Sequence, residues 1–350
     1  MKQQLLSILV DPVTKAPLVM DADSQSDSEI ISGRLLAKNG TIYPVSDGIP
    51  RFAHIDDEGQ RETSNAFEYL WKDRDTFSSE IAQKTYSTWL VENFGFSSEK
   101  DRATYFAEKT RILDLGCGRG YASSSWLRDT AWNGRAMWVG MDITQAVDVA
   151  KGNLEHLPNT HFVQGDALAI PFRDGSFDAI ISQGVLHHTP STRLAILSGS
   201  RVLSSGGEFH FYVYRKKGPI REFADDYIRE QIAALSDEAA WDVMRSLTHL
   251  GKSLWEAKAD ILVEEDIPLL GIQAGSQNVQ RLIYWNFAKL YWNEALTFEE
   301  NTHVNFDWYR PRYAHRQTAE EVRQWCEEAD LSVQWFHEQE SGFSVRAIKR

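Results

Sequence analysis

One stretch of the chain decides its fold: Arg111-Ile112-Leu113-Asp114-Leu115-Gly116-Cys117-Gly118-Arg119-Gly120. Ile112, Leu113 and Leu115 are typical of the end of a buried strand. The glycines that follow allow a tight turn and a close approach of the backbone to a bound molecule. Asp114 adds a hydrogen-bond acceptor at the end of the strand. The stretch therefore predicts a strand that runs into a ligand-binding loop.

The spacing of the glycines argues against a dinucleotide cofactor. A pyrophosphate-binding loop has the pattern Gly-x-Gly-x-x-Gly, whereas here the third glycine comes early, at Gly120, and Tyr121 stands in its place. The pattern Asp-Leu-Gly-Cys-Gly-x-Gly instead resembles the first motif of the class I S-adenosylmethionine-dependent methyltransferases, in the type 11 or ubiquinone-biosynthesis-like group. In that family the acidic residue and the loop hold the amino-acid end of the cofactor.

Further motifs follow in the order of this family. The run Met137 to Ile143 is an apolar strand that ends in Asp142, whose carboxylate can accept both hydroxyls of a ribose. Thr160 to Ala167 is a third strand ending in Gly-Asp-Ala, which resembles the family's adenine-binding corner. The run Phe177 to His188 resembles the fourth motif, and Val202 to Phe211 the turn and strand after it. Together these motifs predict a domain that binds S-adenosylmethionine.

The resemblance implies a set of cofactor-binding residues, although Asp at any one strand end can equally cap the next helix. An aromatic element before the first strand of the resembling enzymes folds over the cofactor, and Tyr69 and Trp71 are the candidates for that cover. The other predicted cofactor residues are Asp114, Leu115, Gly116, Cys117, Gly118, Gly120, Asp142, Ile143, Asp166, Ala167 and Gln183.

The resemblance covers residues 105–214 and resumes at 317–350. It implies an α/β fold: a Rossmann-like, doubly wound, mostly parallel seven-stranded sheet that ends in an antiparallel C-terminal hairpin. Thr318 to Cys326 predicts the closing helix with its cap, and the segments near Val333 and Phe343 predict the hairpin strands. Residues 56–104 are interpreted as a linker and a helical lead-in that covers the cofactor, and residues 215–316 as a helical insertion.

Residues 1–55 are expected to form a small β-rich module. Their pattern resembles the zinc-ribbon-like domain that activates tRNA and translation-factor methyltransferases. Where that family has Cys-Pro-x-Cys, this chain has Asp11-Pro12-Val13-Thr14, and a carboxylate with a hydroxyl makes a poor tetrahedral zinc site. We therefore expect a metal-free packing or dimerisation module, with recruitment of a macromolecular substrate as the alternative.

Composition predicts a soluble, cytoplasmic enzyme. The chain of 350 residues is 42% hydrophobic, enough for a large core, and lacks both a long apolar run and a signal-peptide pattern at its start. Its two cysteines, Cys117 and Cys326, give neither a disulfide framework nor a zinc spacing, so no metal is expected. The formal charge of −13 disfavours nucleic acid, and no membrane partner is expected.

Two adjacent histidines are the candidates for catalysis. His187 and His188 follow the fourth predicted strand, where the methyl group should point, and an imidazole is a natural proton acceptor if the methyl acceptor is a hydroxyl or an acidic carbon. Adjacent side chains project differently, so at most one should face the substrate. The alternative is that the pair only caps the strand–helix turn. A metal site made with His303, Asp307 and His315 lacks local ligand spacing.

The insertion is expected to determine the substrate. Apolar residues from Val279 to Tyr291 follow helical spacing, and further aromatics occupy the remaining faces, which predicts a buried helix. It would pack as a lid or as a homodimer interface, and the sequence does not decide between these. After it, Arg310, Arg312 and His315 are candidates for binding an anionic substrate, although a solvated basic loop fits equally well.

These observations predict a methyltransferase that acts on a small metabolite in an enclosed pocket, an anionic metabolite if the arginines bind it. One alternative is a methyltransferase for tRNA or protein, suggested by the N-terminal module. The other is a catalytically silent partner protein that binds the cofactor. The sequence identifies neither the acceptor atom nor the pathway.

Overall fold

The computed structural model describes residues 1–26, 29–74, 76 and 79–350. A π-helical turn spans Tyr69–Asp73 and a 3-10 turn spans Leu186–His188. The strands are β1 (Val19–Gln25), β2 (Ile30–Leu36), β3 (Ile42–Ser46), β4 (Ile49–Pro50), β5 (Arg111–Leu115), β6 (Met137–Asp142), β7 (Thr160–Gln164), β8 (Phe177–Gln183), β9 (Leu203–Tyr214), β10 (Asp260–Val263), β11 (Gly275–Asn278), β12 (Leu331–Glu338) and β13 (Gly342–Lys349). The helices are α1 (Gln3–Leu6), α2 (Glu58–Glu68), α3 (Glu80–Asn93), α4 (Glu99–Ala107), α5 (Tyr121–Leu127), α6 (Ala146–Leu154), α7 (Thr192–Val202), α8 (Pro219–Ile232), α9 (Asp237–Glu256), α10 (Val279–Asn286), α11 (Phe298–Tyr309) and α12 (Ala319–Glu328).

The main sheet confirms the predicted fold class. It has seven strands in the order β12-β13-β9-β8-β5-β6-β7. Strands β5 to β9 are parallel, whereas β13 runs antiparallel to both β9 and β12. The closing helix begins after Thr318, whose hydroxyl and Glu321 form the predicted reciprocal cap. The last two strands are therefore the expected C-terminal hairpin.

Helices cover both faces of this sheet. Successive side chains of a strand point to opposite faces, and along β5 Ile112 belongs to one apolar cluster while Leu113 and Leu115 belong to the other. All three side chains are fully buried. A strand buried on both faces needs an unbroken apolar run, which explains why Arg111–Leu115 is so hydrophobic.

The register of the parallel strands brings their polar ends to one edge. Asp114 of β5 lies opposite Gly140 of β6, so that Asp142 extends beyond it on the neighbouring strand. Gln183 ends β8 on the other side of β5. Ligands of doubly wound sheets bind outside this carboxyl edge, where the strand order reverses on either side of the first strand.

The N-terminal segment forms a second, antiparallel sheet in the order β1-β2-β3-β4. It joins the free edge of the main sheet, because Arg51 bridges Gln164 of β7 and its guanidinium lies 2.6 Å from the carboxylate of Asp148. Leu5 and Leu9 share one apolar cluster with residues of the main sheet. The segment thus covers an edge strand that would otherwise be open to pairing.

The insertion differs from its prediction in one element. Helix α10 ends at Asn286, and only Gln280 and Tyr284 in it are buried, whereas its other residues, including Val279, Leu282 and Ile283, are half-buried. That prediction was wrong because the chain from Phe287 onward leaves the helix, so the apolar residues there pack individually.

No helix in the described part of the chain has both the length and the hydropathy needed to cross a bilayer.

Candidate active site

A cavity of about 430 Å³ opens at the carboxyl edge of the parallel strands. Its wall combines the loops after β5, β6, β7 and β8 with side chains from α2, α3, β9 and α11. Gly120 and Tyr69 are not among its lining residues. The predicted cofactor residues that do line it are Asp114, Leu115, Gly116, Cys117, Gly118, Asp142, Ile143, Asp166, Ala167, Gln183 and Trp71.

The glycine loop leaves room for a ligand above its backbone. Gly118 has a φ of +52°, and a Cβ placed there would meet only the ring of Trp71, at 4.0 Å. Gly120 has a φ of +79° and caps the start of α5, so its role is to turn the chain into the helix. The loop thus combines an open backbone surface with a helix N-terminus, where ligands are commonly held.

Asp114 is a buried carboxylate at the end of β5. Only 1% of it is exposed, and its Oδ2 accepts a hydrogen bond from the hydroxyl of Ser123 at 2.6 Å. Burial raises the pKa of Asp114 to about 7, and the nearby charge of Asp142 adds to this rise. A carboxylate this poorly solvated favours a cationic ligand group beside it, such as the ammonium of an amino acid.

Asp142 links the second strand to the glycine loop. Its Oδ2 accepts a hydrogen bond from the Gly118 amide at 2.8 Å, and its Oδ1 accepts from the Thr144 amide and hydroxyl at 2.9 and 2.7 Å. Burial raises the pKa of Asp142, while these donors oppose that rise. The carboxylate is therefore oriented before any ligand arrives.

The third and fourth strands complete the polar edge. Asp166 accepts a hydrogen bond from the Leu168 amide at 2.9 Å through Oδ1 and lines the cavity. The amide oxygen of Gln183 is buried and has no hydrogen-bond partner among the residues that the structure describes. An unpaired buried acceptor at a cavity wall is unfavourable unless a ligand donates to it.

Of the two aromatic residues predicted to cover the cofactor, only one lines the cavity. Trp71 lies over Gly118 and lines the cavity. Tyr69 instead packs against Trp241 and Phe306, and its hydroxyl accepts hydrogen bonds from Arg74, so it lies outside the cavity. The two residues are next-but-one neighbours in a π-helical turn, which points their side chains in different directions.

Of the two adjacent histidines, likewise, only one lines the cavity. His188 lines the cavity; its Nδ1 lies 2.6 Å from the carbonyl oxygen of Tyr313, and its Nε2 is buried without a partner in the described chain. Burial lowers its pKa to about 3. His187 is fully buried outside the cavity, with its ring centroid 3.7 Å from that of Tyr214. No side chain caps the 3-10 turn, and Ser191 caps the next helix, so neither imidazole is needed as the cap.

The three residues predicted to bind an anionic substrate are not brought to the cavity. Arg310 pairs with Asp237 at 2.7 Å, and Arg312 is exposed. His315 donates its backbone amide to the carbonyl of His187 at 2.9 Å, which holds the chain segment and not a ligand. The three residues are close in sequence because they belong to one connecting segment, and that segment does not line the cavity.

Several residues of the cavity wall were not predicted as site residues. Trp89 and Tyr86 come from α3, and Tyr212 and Tyr214 from β9. From α11 the wall receives His303 and Asp307, which were considered only as part of a metal site; the described residues contain no group that could hold a metal. The available signals were the alternation of tyrosines along a strand after the fourth motif and the spacing of four between His303 and Asp307.

Comparison with known proteins agrees with this geometry. Residues 113–211 match the family model described as a methyltransferase domain. The phthiotriol/phenolphthiotriol dimycocerosates methyltransferase of Mycobacterium tuberculosis is 31% identical over 126 residues, which are 36% of this chain and 46% of that protein. The fatty-acid O-methyltransferase of Mycolicibacterium smegmatis is 28% identical over 142 residues, 40% of this chain and 50% of that one.

The matched region is thus only part of each protein, because the alignment spans half or less of the length of these curated relatives. Among solved structures, the PH0226 protein from Pyrococcus horikoshii is 16% identical with a TM-score of 0.43, covering 82% of this chain and 97% of that one. The family match shows that residues 113–211 form a methyltransferase domain, and its cofactor is S-adenosylmethionine, as the sequence predicted.

Proposed function

We propose that this protein transfers the methyl group of S-adenosylmethionine to an oxygen atom of a small, mostly apolar molecule. One observation carries the proposal: a single cavity joins the carboxylates at the strand ends to the unpaired Nε2 of His188. The polar groups at the strand ends can bind the cofactor, and the imidazole can accept the proton that an attacking hydroxyl must lose.

The residues at the polar edge fit the cofactor group by group. Asp114 would hold the ammonium of its amino-acid part, and the open backbone at Gly118 leaves space for the chain that follows. Asp142 would accept the ribose hydroxyls, for which its carboxylate is already oriented. Asp166 and Ala167 would lie at the adenine, and Gln183 has an unpaired acceptor to offer.

When bound, S-adenosylmethionine supplies a methyl group on a positively charged sulfur. His188 would act on the acceptor molecule. A carbonyl oxygen can only accept a hydrogen bond, so the contact with Tyr313 places the ring proton on Nδ1 and the lone pair on Nε2. That lone pair would orient the acceptor hydroxyl and take its proton. A low pKa does not prevent this, because an oxygen that is gaining a methyl group becomes a very strong acid.

The character of the wall supports an apolar acceptor without a negative charge. Rings of Phe67, Trp89 and Tyr212 form much of the wall away from the strand ends. Arg119 is the one Lys or Arg side chain among the described lining residues, and the arginines predicted to bind an anion lie outside. The name of one curated relative specifies O-methylation, which supports oxygen as the acceptor atom.

We propose that the insertion acts as a lid over the acceptor end. Tyr291, Leu296, His303, Val304 and Asp307 all come from it and line the cavity. Water excluded by such a cover would strengthen the electrostatic interactions inside. A homodimer interface on its outer surface is compatible with this role.

We also propose that residues 1–55 are a metal-free form of a zinc-ribbon-like module. Asp11 is fully buried where a metal-ligating cysteine would stand. Its Oδ1 accepts hydrogen bonds from the amides of Val13 and Thr14 at 2.9 and 2.6 Å, and its Oδ2 accepts from the hydroxyl of Tyr43 at 3.0 Å. The carboxylate thus holds the turn and the neighbouring strand together, as a bound metal would hold its ligands.

The proposal is tested in two stages. Calorimetric titration with S-adenosylhomocysteine should give micromolar affinity, and titration with NADH should give none. The protein with S-adenosylmethionine is then incubated with a panel of phenols and alcohols, and mass spectrometry detects products heavier by one methylene group. Cofactor binding without transfer to any oxygen acceptor would overturn the assignment of the acceptor atom, and absence of cofactor binding would favour a silent partner protein.

A further inference from the structure

We infer that Asp307 recognises a second group on the methyl acceptor, a protonated amine. This inference rests on the proposed function, because it concerns the acceptor end of the same cavity. The carboxylate would select molecules that carry an ammonium a short distance from the hydroxyl to be methylated.

The carboxylate of Asp307 is incompletely paired. Its Oδ2 accepts a hydrogen bond from the hydroxyl of Tyr214 at 3.2 Å, and within the described part of the chain it has no other hydrogen bond and no ion pair. Asp307 is only partly buried, and it lines the cavity. The neighbouring residues of α11, Phe306 and Trp308, are buried in the core, so the helix turns one charged side chain toward the site. A carboxylate in such a place gains strongly from a ligand that donates to it.

Aromatic rings of the cavity wall lie around Asp307. Its negative charge acts on the hydroxyls of Tyr86, Tyr212 and Tyr214, whose pKa values are all raised, with burial as the main cause. Many Lys and Arg side chains of this protein lie over aromatic rings, but in the described structure none of those rings belongs to the cavity wall. A carboxylate among aromatic rings is a common way to bind an ammonium.

The protein's own charges do not already serve as the partner. Lys289 is one candidate: it is buried, burial lowers its pKa to about 7, and the charge of Asp307 opposes that change. Its ammonium lies 4.7 Å from the centre of the Trp308 ring, and among the described residues no ion pair joins it to Asp307. His303 is buried nearby with a lowered pKa, so it is neutral at neutral pH. The acceptor end therefore keeps a negative charge that faces the ligand.

The distance between the two recognition points is short. Tyr214 bridges them, because its hydroxyl contacts Asp307 while its ring centroid lies 5.4 Å from that of His188. A hydroxyl at Nε2 of His188 and an ammonium at Asp307 would thus fit on one small aromatic molecule. This predicts an amino-phenol or amino-alcohol as the class of acceptor.

The test compares three phenols that differ in one group. The unmodified chain, saturated with S-adenosylhomocysteine, is titrated with tyramine, with 4-ethylphenol and with 4-hydroxyphenylpropionate, which carry a cation, no charge and an anion. Tyramine should bind at least about 10-fold more tightly than 4-ethylphenol, as expected for one charge-assisted hydrogen bond, and the anion should bind most weakly. Equal affinities for tyramine and 4-ethylphenol, or no binding of either, would overturn the inference.

Two variants assign the preference to this carboxylate. Asp307→Asn should abolish the preference for tyramine, and Asp307→Glu should keep it. Affinity for S-adenosylhomocysteine should be the same in both, so a weaker cofactor affinity in Asp307→Asn would mean that the carboxylate serves the cofactor, and the inference would be wrong. If Asp307→Asn does not fold, the comparison of the three phenols on the unmodified chain still decides. Failure of the proposed function would appear separately, as loss of cofactor binding in the unmodified chain.

A purely structural role for Asp307, as counter-ion of Lys289, gives a different result. In that case Asp307→Asn would lower the free energy of unfolding, and adding Lys289→Met to that variant would restore it. The preference for tyramine would be absent from the unmodified chain. A preference that is present in the unmodified chain and in Lys289→Met, but lost in Asp307→Asn, supports recognition of the ammonium.

Discussion

The Nδ1 atom of His188 lies 2.6 Å from the carbonyl oxygen of Tyr313, a residue that is distant in sequence. Tyr313 is itself held by two contacts: its amide donates to the hydroxyl of Thr63 at 2.9 Å, and its own hydroxyl donates to Asp57 at 2.9 Å. The tautomer of the imidazole thus depends on α2, which contains Thr63 and is capped by Asp57. A fixed tautomer is what makes Nε2 available as a proton acceptor.

Substitution of this histidine should impair chemistry without impairing cofactor binding. We expect His188→Gln to reduce turnover of an acceptor found in the screen by about 10² to 10⁴ fold, the usual contribution of a general base. Affinity for S-adenosylhomocysteine should stay within the experimental error of calorimetry, because the imidazole lies away from the strand ends that would hold it.

His187→Gln is the matched control, since the residue is adjacent, of the same type and outside the cavity. Its loss should lower the free energy of unfolding by about 1 to 3 kcal/mol, because a fully buried ring packed on Tyr214 is removed. Turnover measured well below the unfolding temperature should change little. Equal loss of turnover in both variants would show that neither histidine is the base.

The carboxylate of Asp142 should control cofactor affinity. We expect Asp142→Ala to weaken binding of S-adenosylhomocysteine about 10- to 100-fold, since a hydrogen bond to a charged group contributes about 1.5 to 3 kcal/mol. The same variant releases the Gly118 amide, so the glycine loop should also lose order. Calorimetry measures the affinity, and Asp23→Ala, at an exposed position, is the control for a lost negative charge. Unchanged affinity in Asp142→Ala would remove this residue from the ribose site.

The parts of the molecule that sequence could predict carry local signals. The strand and loop around Asp114, the cap at Thr318 and the C-terminal hairpin each follow from a pattern within a few neighbouring residues, and the structure has them at those places. The order of the parallel strands was predictable because the motifs followed one another as in a known family. Each of these elements has its signal within a short stretch of sequence, although β13 also pairs with the distant strand β9.

The acceptor end of the cavity could not be predicted in the same way. Asp307 comes from α11, and its position depends on how an insertion packs over a strand that lies far away in sequence. Tyr69 and Trp71 show the same limit at short range, because two residues that are next-but-one neighbours in a helical turn cannot both face the cavity, and the sequence did not show which of them does.

Removal of the buried carboxylate of Asp11 should destabilise the N-terminal module. We expect Asp11→Ala to lower the free energy of unfolding by about 3 kcal/mol or more, because several donors would lose their buried acceptor together. Urea unfolding followed by tryptophan fluorescence measures the change. Asp21→Ala, which removes an exposed ion pair with Arg34, should change stability by less than about 1 kcal/mol.

The proposal that this module is metal-free can be tested directly. If hydrogen bonds to Asp11 take the place of metal ligands, a chelator such as EDTA should leave the unfolding temperature of the unmodified chain unchanged. A fall in the unfolding temperature with chelator, reversed by zinc, would show that the turn around Asp11 binds a metal after all.

Buried neutral histidines should make the fold sensitive to acid. Burial lowers the pKa of five of them, to about 3 for two and about 4 for two others, with the fifth well below its usual value; they are His161, His187, His188, His210 and His303. In the unfolded chain each would bind a proton below about pH 6.5. The unfolded state therefore gains protons first as the pH falls, and stability decreases from about pH 6.5 down toward the folded pKa values. Asp114 acts in the opposite direction, because its raised pKa lets the folded protein take up one proton in the same range.

Histidines outnumber this carboxyl group, so the net effect should be a loss of stability in acid. Urea unfolding at pH 7.5, 6.5 and 5.5 should give a falling free energy, with a slope of about 1.4 kcal/mol per pH unit for each histidine that ionises only on unfolding. His161 lies outside the cavity. His161→Gln should therefore reduce the slope by up to about 1.4 kcal/mol per pH unit, the contribution of one proton, and leave the affinity for the cofactor unchanged. A free energy of unfolding that stays constant or rises between pH 7.5 and 5.5 would contradict this prediction, because these imidazoles would then take up protons in the folded protein as readily as in the unfolded chain.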